Sequence, residues 1–193
     1  NSGESWEETS GILKGWADGE GSSVTVVNNG TVGDVVGVNA DGKGSSVTVS
    51  NNGTAGSMDA IGWNGGEVKA NNSGVIENGV GINANGEGSK AELINSGEAN
   101  RIYGDANEGG TTSITNDGKV TGDGSAITMT DPNSGESWEE TSGILNGWAN
   151  GEGSKMELVN DGNAHISIGG ANEGGTFSFE NNGELADSFY GVA

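Results

Sequence analysis

The feature that most constrains this chain is a short string that returns along its whole length. The string is a glycine, one variable residue, then small polar residues with more glycine. It reads GWADGEG from Gly15, GVNADGKG from Gly37, GWNGGE from Gly62 and GINANGEG from Gly81. It continues as GDANEGG from Gly104, GWANGEG from Gly147, GGANEGG from Gly169 and GVA from Gly191, with a degenerate member, GSAITM, from Gly124. Successive spacings are 22, 25, 19, 23, 20, 23, 22 and 22 residues. A sustained period of this size is the mark of a stacked repeat architecture.

A second marker keeps step with the first. NNG or a close variant ends at Gly30, Gly53, Gly74, Gly97, Gly118, Gly162 and Gly183. Asn-Gly and Asp-Gly suit sharp turns because they accept positive φ. Just before these turns stand the pairs Val24/Val26, Val47/Val49, Val68/Ala70, Ala91/Leu93, Thr112/Ile114, Met156/Leu158 and Phe177/Phe179, with Ile127/Met129 in the degenerate repeat. The residue inside each pair is polar, which is the alternation of a strand with one buried face. A second column follows the turns: Val32, Ala55, Ile76, Ala99, Val120, Ala164 and Leu185. A third lies near the Gly-x string: Val36, Ile61, Val80, Tyr103, Ile168 and Tyr190. Three short strands per repeat predict an all-β fold, a right-handed parallel β-helix of about 22 residues per coil and eight to nine coils. Equivalent turn asparagines are placed to bond from coil to coil, as stacked strands permit.

This architecture reconciles the repeat with the composition. Apolar residues make up only 31% of the 193 residues, too few for an ordinary globular core. A solenoid needs only a few inward side chains per coil, because stacking joins them into one continuous core. The formal charge of −21 argues against nucleic acid and against anionic lipid surfaces. With no cysteine there is neither a disulfide framework nor a thiolate metal site. No apolar run reaches membrane-spanning length.

A longer repetition overlies the short one. NSGESWEETSGIL at 1–13 recurs unchanged at 133–145, an offset of 132 residues that we read as six coils. NGEGSKAELINSG at 85–97 recurs as NGEGSKMELVNDG at 150–162, an offset of 65 read as about three coils. The domain reading is one solenoid over 1–193, with 1–132 a six-coil block and 133–193 the start of a second. Neither end carries a recognisable cap, so the chain reads as a segment of a longer one or as a subunit that stacks end to end.

The segment NSGVIENGVGINANGEGSKAELINSG at 72–97 resembles the coils of Gram-negative autotransporter passengers and haemagglutinin-type surface adhesins. The resemblance covers nearly the whole chain, in period and composition. It implies an extracellular or cell-surface location and an elongated stalk, and it carries over no functional residues. The expected partners are glycans or proteins of a host or neighbouring cell, or copies of the chain end to end, without nucleic acid and without membrane insertion. A homopolymeric filament subunit and a polysaccharide-binding or polysaccharide-degrading β-helix are the alternatives.

Candidate chemistry is sparse, and we expect no enzyme. The acidic residues Glu7, Glu8, Asp34, Asp59 and Asp105 form no evident column, while His165 and Arg101 are the sole histidine and arginine. No cofactor is expected, although calcium suits the oxygen-rich turns around Asp18, Glu20, Asp41, Glu87 and Glu152. The tryptophans are the candidate ligand contacts. Trp16, Trp63 and Trp148 follow the string glycine, and Trp6 and Trp138 lie in the two SWEE segments, where an outward loop is expected. A flat threonine ladder through Thr25, Thr48 and Thr128 is interrupted by Lys69, Glu92 and Glu157.

Overall fold

The computed structural model describes residues 6–7, 11–130 and 137–192. Among these there is no helix, and the chain winds as a parallel β-solenoid of about eight turns. Each turn has three sides. A ladder side is built from Ser23–Asn28, Ser46–Asn51, Glu67–Asn72, Lys90–Asn95, Thr111–Asn116, Lys155–Asn160 and Thr176–Asn181, paired in that order as one seven-stranded parallel sheet. A short side follows the asparagine turn at 31–32, 54–55, 75–76, 98–99, 119–120, 163–164 and 184–185. A broad side stacks 13–18, 36–41, 58–63, 80–85, 102–107, 144–150, 166–172 and 189–192. In Thr31–Asp41, Thr54–Trp63 and Val75–Asn85 the short and broad sides form one strand bent at the corner, so both belong to a single larger sheet.

The inward columns fill the tube. Val24, Val47, Val68, Ala91, Thr112, Met156 and Phe177 stack in register, as do Val26, Val49, Ala70, Leu93, Ile114, Leu158 and Phe179. Facing them on the broad side is the column Gly15, Val38, Ala60, Ile82, Gly104, Gly147 and Gly169. Its sizes vary inversely with those opposite. A Cβ on Gly15 would lie 2.7 Å from Val26 Cγ2, one on Gly104 would lie 2.7 Å from Ile114 Cδ1, and one on Gly147 would collide with Met156 Cε. Where Ala70 or Ala91 leaves room, Ala60 and Ile82 take it. At these glycines a bulky residue faces a small one, which permits close packing; the second coil instead sets Val38 against Val47 and Val49.

The first asparagine of every NNG-type turn points inward and forms an unbroken ladder. The amide of Asn28 donates to Asn51 at 2.7 Å, Asn51 to Asn72 at 2.8 Å and Asn72 to Asn95 at 2.7 Å. Asn95 continues to Asn116 at 2.7 Å, Asn116 to Asn160 at 2.8 Å and Asn160 to Asn181 at 2.7 Å. From Asn51 to Asn160 these side chains are essentially inaccessible to solvent. Buried amides are tolerable because each finds a partner above and below.

The corner between broad and ladder sides uses two turns of different length. In the longer form two glycines take positive φ, as at Gly42 and Gly44, and a serine closes the turn; Ser45 Oγ donates to the Gly42 carbonyl at 2.7 Å. In the shorter form a non-glycine residue takes positive φ ahead of a glycine: Asn64, Glu108 and Glu173. The forms alternate from the second coil onward and fit one another. Gly65 N–H donates to Ser89 Oγ at 2.9 Å, and Gly109 N–H to Ser154 Oγ at 3.0 Å, a serine one coil on in each case.

Several expectations need correction. Gly124 does not open a coil: the strand 102–107 pairs directly with 144–150, making Gly104 and Gly147 successive. The intervening residues form an antiparallel hairpin, Ala126–Thr130 against Ser137–Thr141. Thr121 N–H donates to the Ala99 carbonyl and Gly143 N–H to that of Asn100, so 122–142 is inserted between positions that are adjacent in the coil beneath. Asp123 pins the hairpin base, accepting from Ser125 N–H at 3.0 Å and Ser142 Oγ at 3.2 Å; the Ser125 side chain first, then the Ser125 N–H and the Ser142 hydroxyl, hold its carboxyl down to about 2. The backbone of Ile127, Thr128 and Met129 therefore belongs to the hairpin rather than to the stacked columns. The 132-residue offset spans five coil steps plus the hairpin rather than six coils, and the 65-residue offset spans two steps plus the hairpin. The third apolar column also divides: Val36 and Val80 are buried in one register column, while Tyr103 and Ile168 share another with Asp59 and Gly81.

Candidate functional site

The outward residues of the broad side bring unusual side chains together. Reading across coils, one column runs Lys14, Gly37, Asp59, Gly81, Tyr103, Asn146 and Ile168; the next runs Trp16, Asn39, Ile61, Asn83, Asp105, Trp148 and Gly170. The last before the corner runs Asp18, Asp41, Trp63, Asn85, Asn107, Asn150 and Asn172. Trp16 and Trp148 thus share a position, but Trp63 sits two residues further along its strand, a correction to the shared placement expected from the string. The cause is Gly62, which belongs to the inward column occupied elsewhere by Ala17, Ala40, Ala84, Ala106, Ala149 and Ala171.

Two arrangements stand out. The first is a polar clasp across three coils. The Tyr103 hydroxyl donates to Asp59 Oδ1 at 2.9 Å, passing over Gly81, where any Cβ would collide with the phenol ring. The Arg101 guanidinium lies 4.9 Å from the Tyr103 ring centroid, a cation–π distance. Burial raises the Asp59 carboxyl above its ordinary value, opposed by the Tyr103 bond and the Arg101 charge. Burial, aided by the Asp59 charge and hydrogen bond, pushes the Tyr103 phenol well above its usual range. Asp105, on the same strand as Tyr103, is raised by burial alone. The Tyr103 hydroxyl and the Asp59 carboxylate are occupied with one another, which suits the clasp to tying coils together.

The second arrangement is open. Trp16 is 54% exposed and Trp63 43% exposed, and with Ala17, Asp18, Asn39, Asp41 and Asn64 they line a concavity of about 580 Å³. Asp18 and Asp41 stand on adjacent coils in the same register. Asn64 donates to Asp41 Oδ1 at 2.8 Å and so fixes that carboxylate. A separate concavity, also lined by Trp63, runs along Asn85, Asn107 and Asn150 with Glu108 and Glu173. Of the tryptophans named as candidate ligand contacts, Trp16 and Trp63 are exposed to solvent, and Trp148 is half-buried with its ring over Gly170.

Of the calcium candidates, the structure brings Asp18 and Asp41 together, whereas Glu20, Glu87 and Glu152 project from exposed turns. Among the described residues no group of three or more acidic or histidine side chains converges. The side chains of Trp6, Glu7, Ile127, Thr128, Met129 and Trp138, and the whole of Glu8, lie outside the described residues. His165 stands beside the hairpin base, where a Cβ on Gly124 would approach its ring to 2.7 Å. The clasp and the Trp16–Trp63 concavity were both missed at the level of sequence; the usable signal was Gly81, a glycine at an outward position with no turn to require it. No family model, curated protein or solved structure matched this chain.

Proposed function

We propose that this chain is a rigid, non-catalytic stalk segment of an extracellular, adhesin-type surface fibre. The observation that carries the reading is the asparagine ladder running from Asn28 to Asn181 without a missing member, buried from Asn28 to Asn160. Such a ladder contributes no chemistry to a substrate. It couples every coil to its neighbours along the axis and resists slippage of the stack, the property a stalk requires. The acidic, polar exterior keeps such a rod soluble outside the cell.

Antibodies raised against the chain are expected to label intact cells of the native source, and the purified protein is expected to leave a panel of polysaccharides uncut. Labelling confined to permeabilised cells would remove the surface assignment. Release of reducing ends from any polysaccharide would replace the stalk reading with an enzymatic one.

A further inference from the structure

We propose that the concavity between Trp16 and Trp63 binds an organic cation of the alkylated ammonium class. Two indoles are left exposed beside an acidic pair, Trp63 next to Asp41 in its column and Trp16 two residues before Asp18 on its strand, on a surface whose neighbouring positions are otherwise mostly Asn, Asp and Gly. Like charges on directly adjacent strands repel, and Asp18 stands on Asp41. Among the described residues no basic side chain forms an ion pair with either carboxylate. A bound cation relieves that repulsion, and the negative faces of the two indoles attract the same charge.

The alternatives by charge and size fit less well. A hard metal ion takes six to eight oxygen ligands, and only two carboxylates converge here. An anionic glycan meets both carboxylates and the formal charge of −21. A neutral sugar gains indole stacking but leaves the carboxylate repulsion in place. The volume of about 580 Å³ lies within the range of small-molecule sites. Asn64 holds Asp41 in its orientation, so the acidic side of the site is set before the ligand arrives. This site is independent of the stalk reading, which stands or falls on localisation and polysaccharide turnover.

The test titrates the full chain with choline chloride, following tryptophan fluorescence and calorimetric heat. Sodium chloride of equal ionic strength, the uncharged carbon isostere 3,3-dimethyl-1-butanol and cellobiose serve as comparators. Saturable choline binding with a dissociation constant on the order of millimolar is expected. It should weaken about tenfold in Trp63→Ala and in Asp18→Asn/Asp41→Asn. Both sets of positions are exposed, so unfolding midpoints no lower than that of the native chain will show that the variants fold. A choline response no larger than that of the isostere would overturn the proposal, as would saturation by cellobiose without saturation by choline.

Discussion

The two long edges of the ladder side carry the same residue and treat it differently. At the edge after the ladder strands, seven asparagines in register bond side chain to side chain, all but Asn181 buried inside the tube. At the opposite edge, Asn107 donates to Asn85 at 2.7 Å, Asn150 to Asn107 at 2.9 Å and Asn172 to Asn150 at 2.9 Å, on the half-exposed outside. The outer ladder stops where Trp63, Asp41 and Asp18 occupy its column. The difference follows from solvent. An inward amide without a partner is desolvated for nothing, whereas an outward one falls back on water. The outer edge is thus free to vary, and the open concavity lies where it does.

The sharpest break in this comparison is a paired deletion. Asn95→Ala strands the Asn72 donor below and the Asn116 acceptor above, both buried, and should destabilise the chain by about 2–4 kcal/mol. Asn107→Ala removes a geometrically similar rung and should cost about 0.5–1 kcal/mol, because water replaces it. Urea unfolding followed by circular dichroism reads both. Equal losses would show that the two edges do not differ as argued.

Next in size is a test of the interior's tolerance. Gly147→Val pushes against Met156 and should lose about 1–3 kcal/mol by overpacking. Met156→Ala in the same chain opens the space and should recover much of that loss, although Met156→Ala alone leaves a cavity. A double variant no better than the sum of its parts would mean that the inverse size pattern across the tube is incidental.

The inner edge was legible in the sequence for a physical reason. NNG fixes a turn, alternation fixes a face, and together they lock phase, so the pairs from Val24/Val26 to Phe177/Phe179 stack as read. The outer edge resisted reading because its string glycines stand in three different columns: Gly15, Gly104, Gly147 and Gly169 in one, Gly37 and Gly81 one residue before it, and Gly62 in the alanine column two residues after it. A string aligned on glycine therefore put Trp63 beside Trp16. The hairpin was misread for a different reason. Ile127 and Met129 alternate as any half-buried strand does, and alternation does not say whether the partner strand is parallel and a coil away or antiparallel and next in sequence. The Asp59–Tyr103 bond joins residues 44 apart and depends on a notch at Gly81 in the coil between them. Such a contact becomes visible only after register is known.

The clasp supplies a test on the same outer face that depends on pH. Because burial raises the folded-state pKa of Asp59, the folded chain holds a proton that the unfolded chain releases in the window just above the ordinary carboxylate value. In that window this group's contribution makes stability fall as pH rises, and it is most favourable below the window, where both states are protonated. Asp59→Asn keeps an acceptor for Tyr103 and removes the titration. Its unfolding midpoint should therefore decline less steeply than that of the native chain between mildly acidic and neutral pH. Asp105, also raised by burial, remains in both proteins, so the difference between the two curves isolates Asp59. Parallel curves would show that Asp59 is not desolvated in solution.

The smallest expected effect sharpens the comparison most. Asp41→Asn with Trp63→Asn extends the outer ladder from Asn85 into the first coils, because Asp41, Trp63 and Asn85 share one column. Two added amide rungs in partly solvated positions, with the Asp18–Asp41 repulsion removed, should stabilise the chain by about 0.5–1 kcal/mol. The same change removes one indole and one carboxylate from the concavity, so choline binding should be lost. A gain in the urea midpoint together with loss of binding is the outcome expected if the N-terminal stretch of this edge gives up ladder stability for an open site. If the variant is less stable than the native chain, Trp63 and Asp41 are themselves structural, and the contrast between the two edges is one of composition alone.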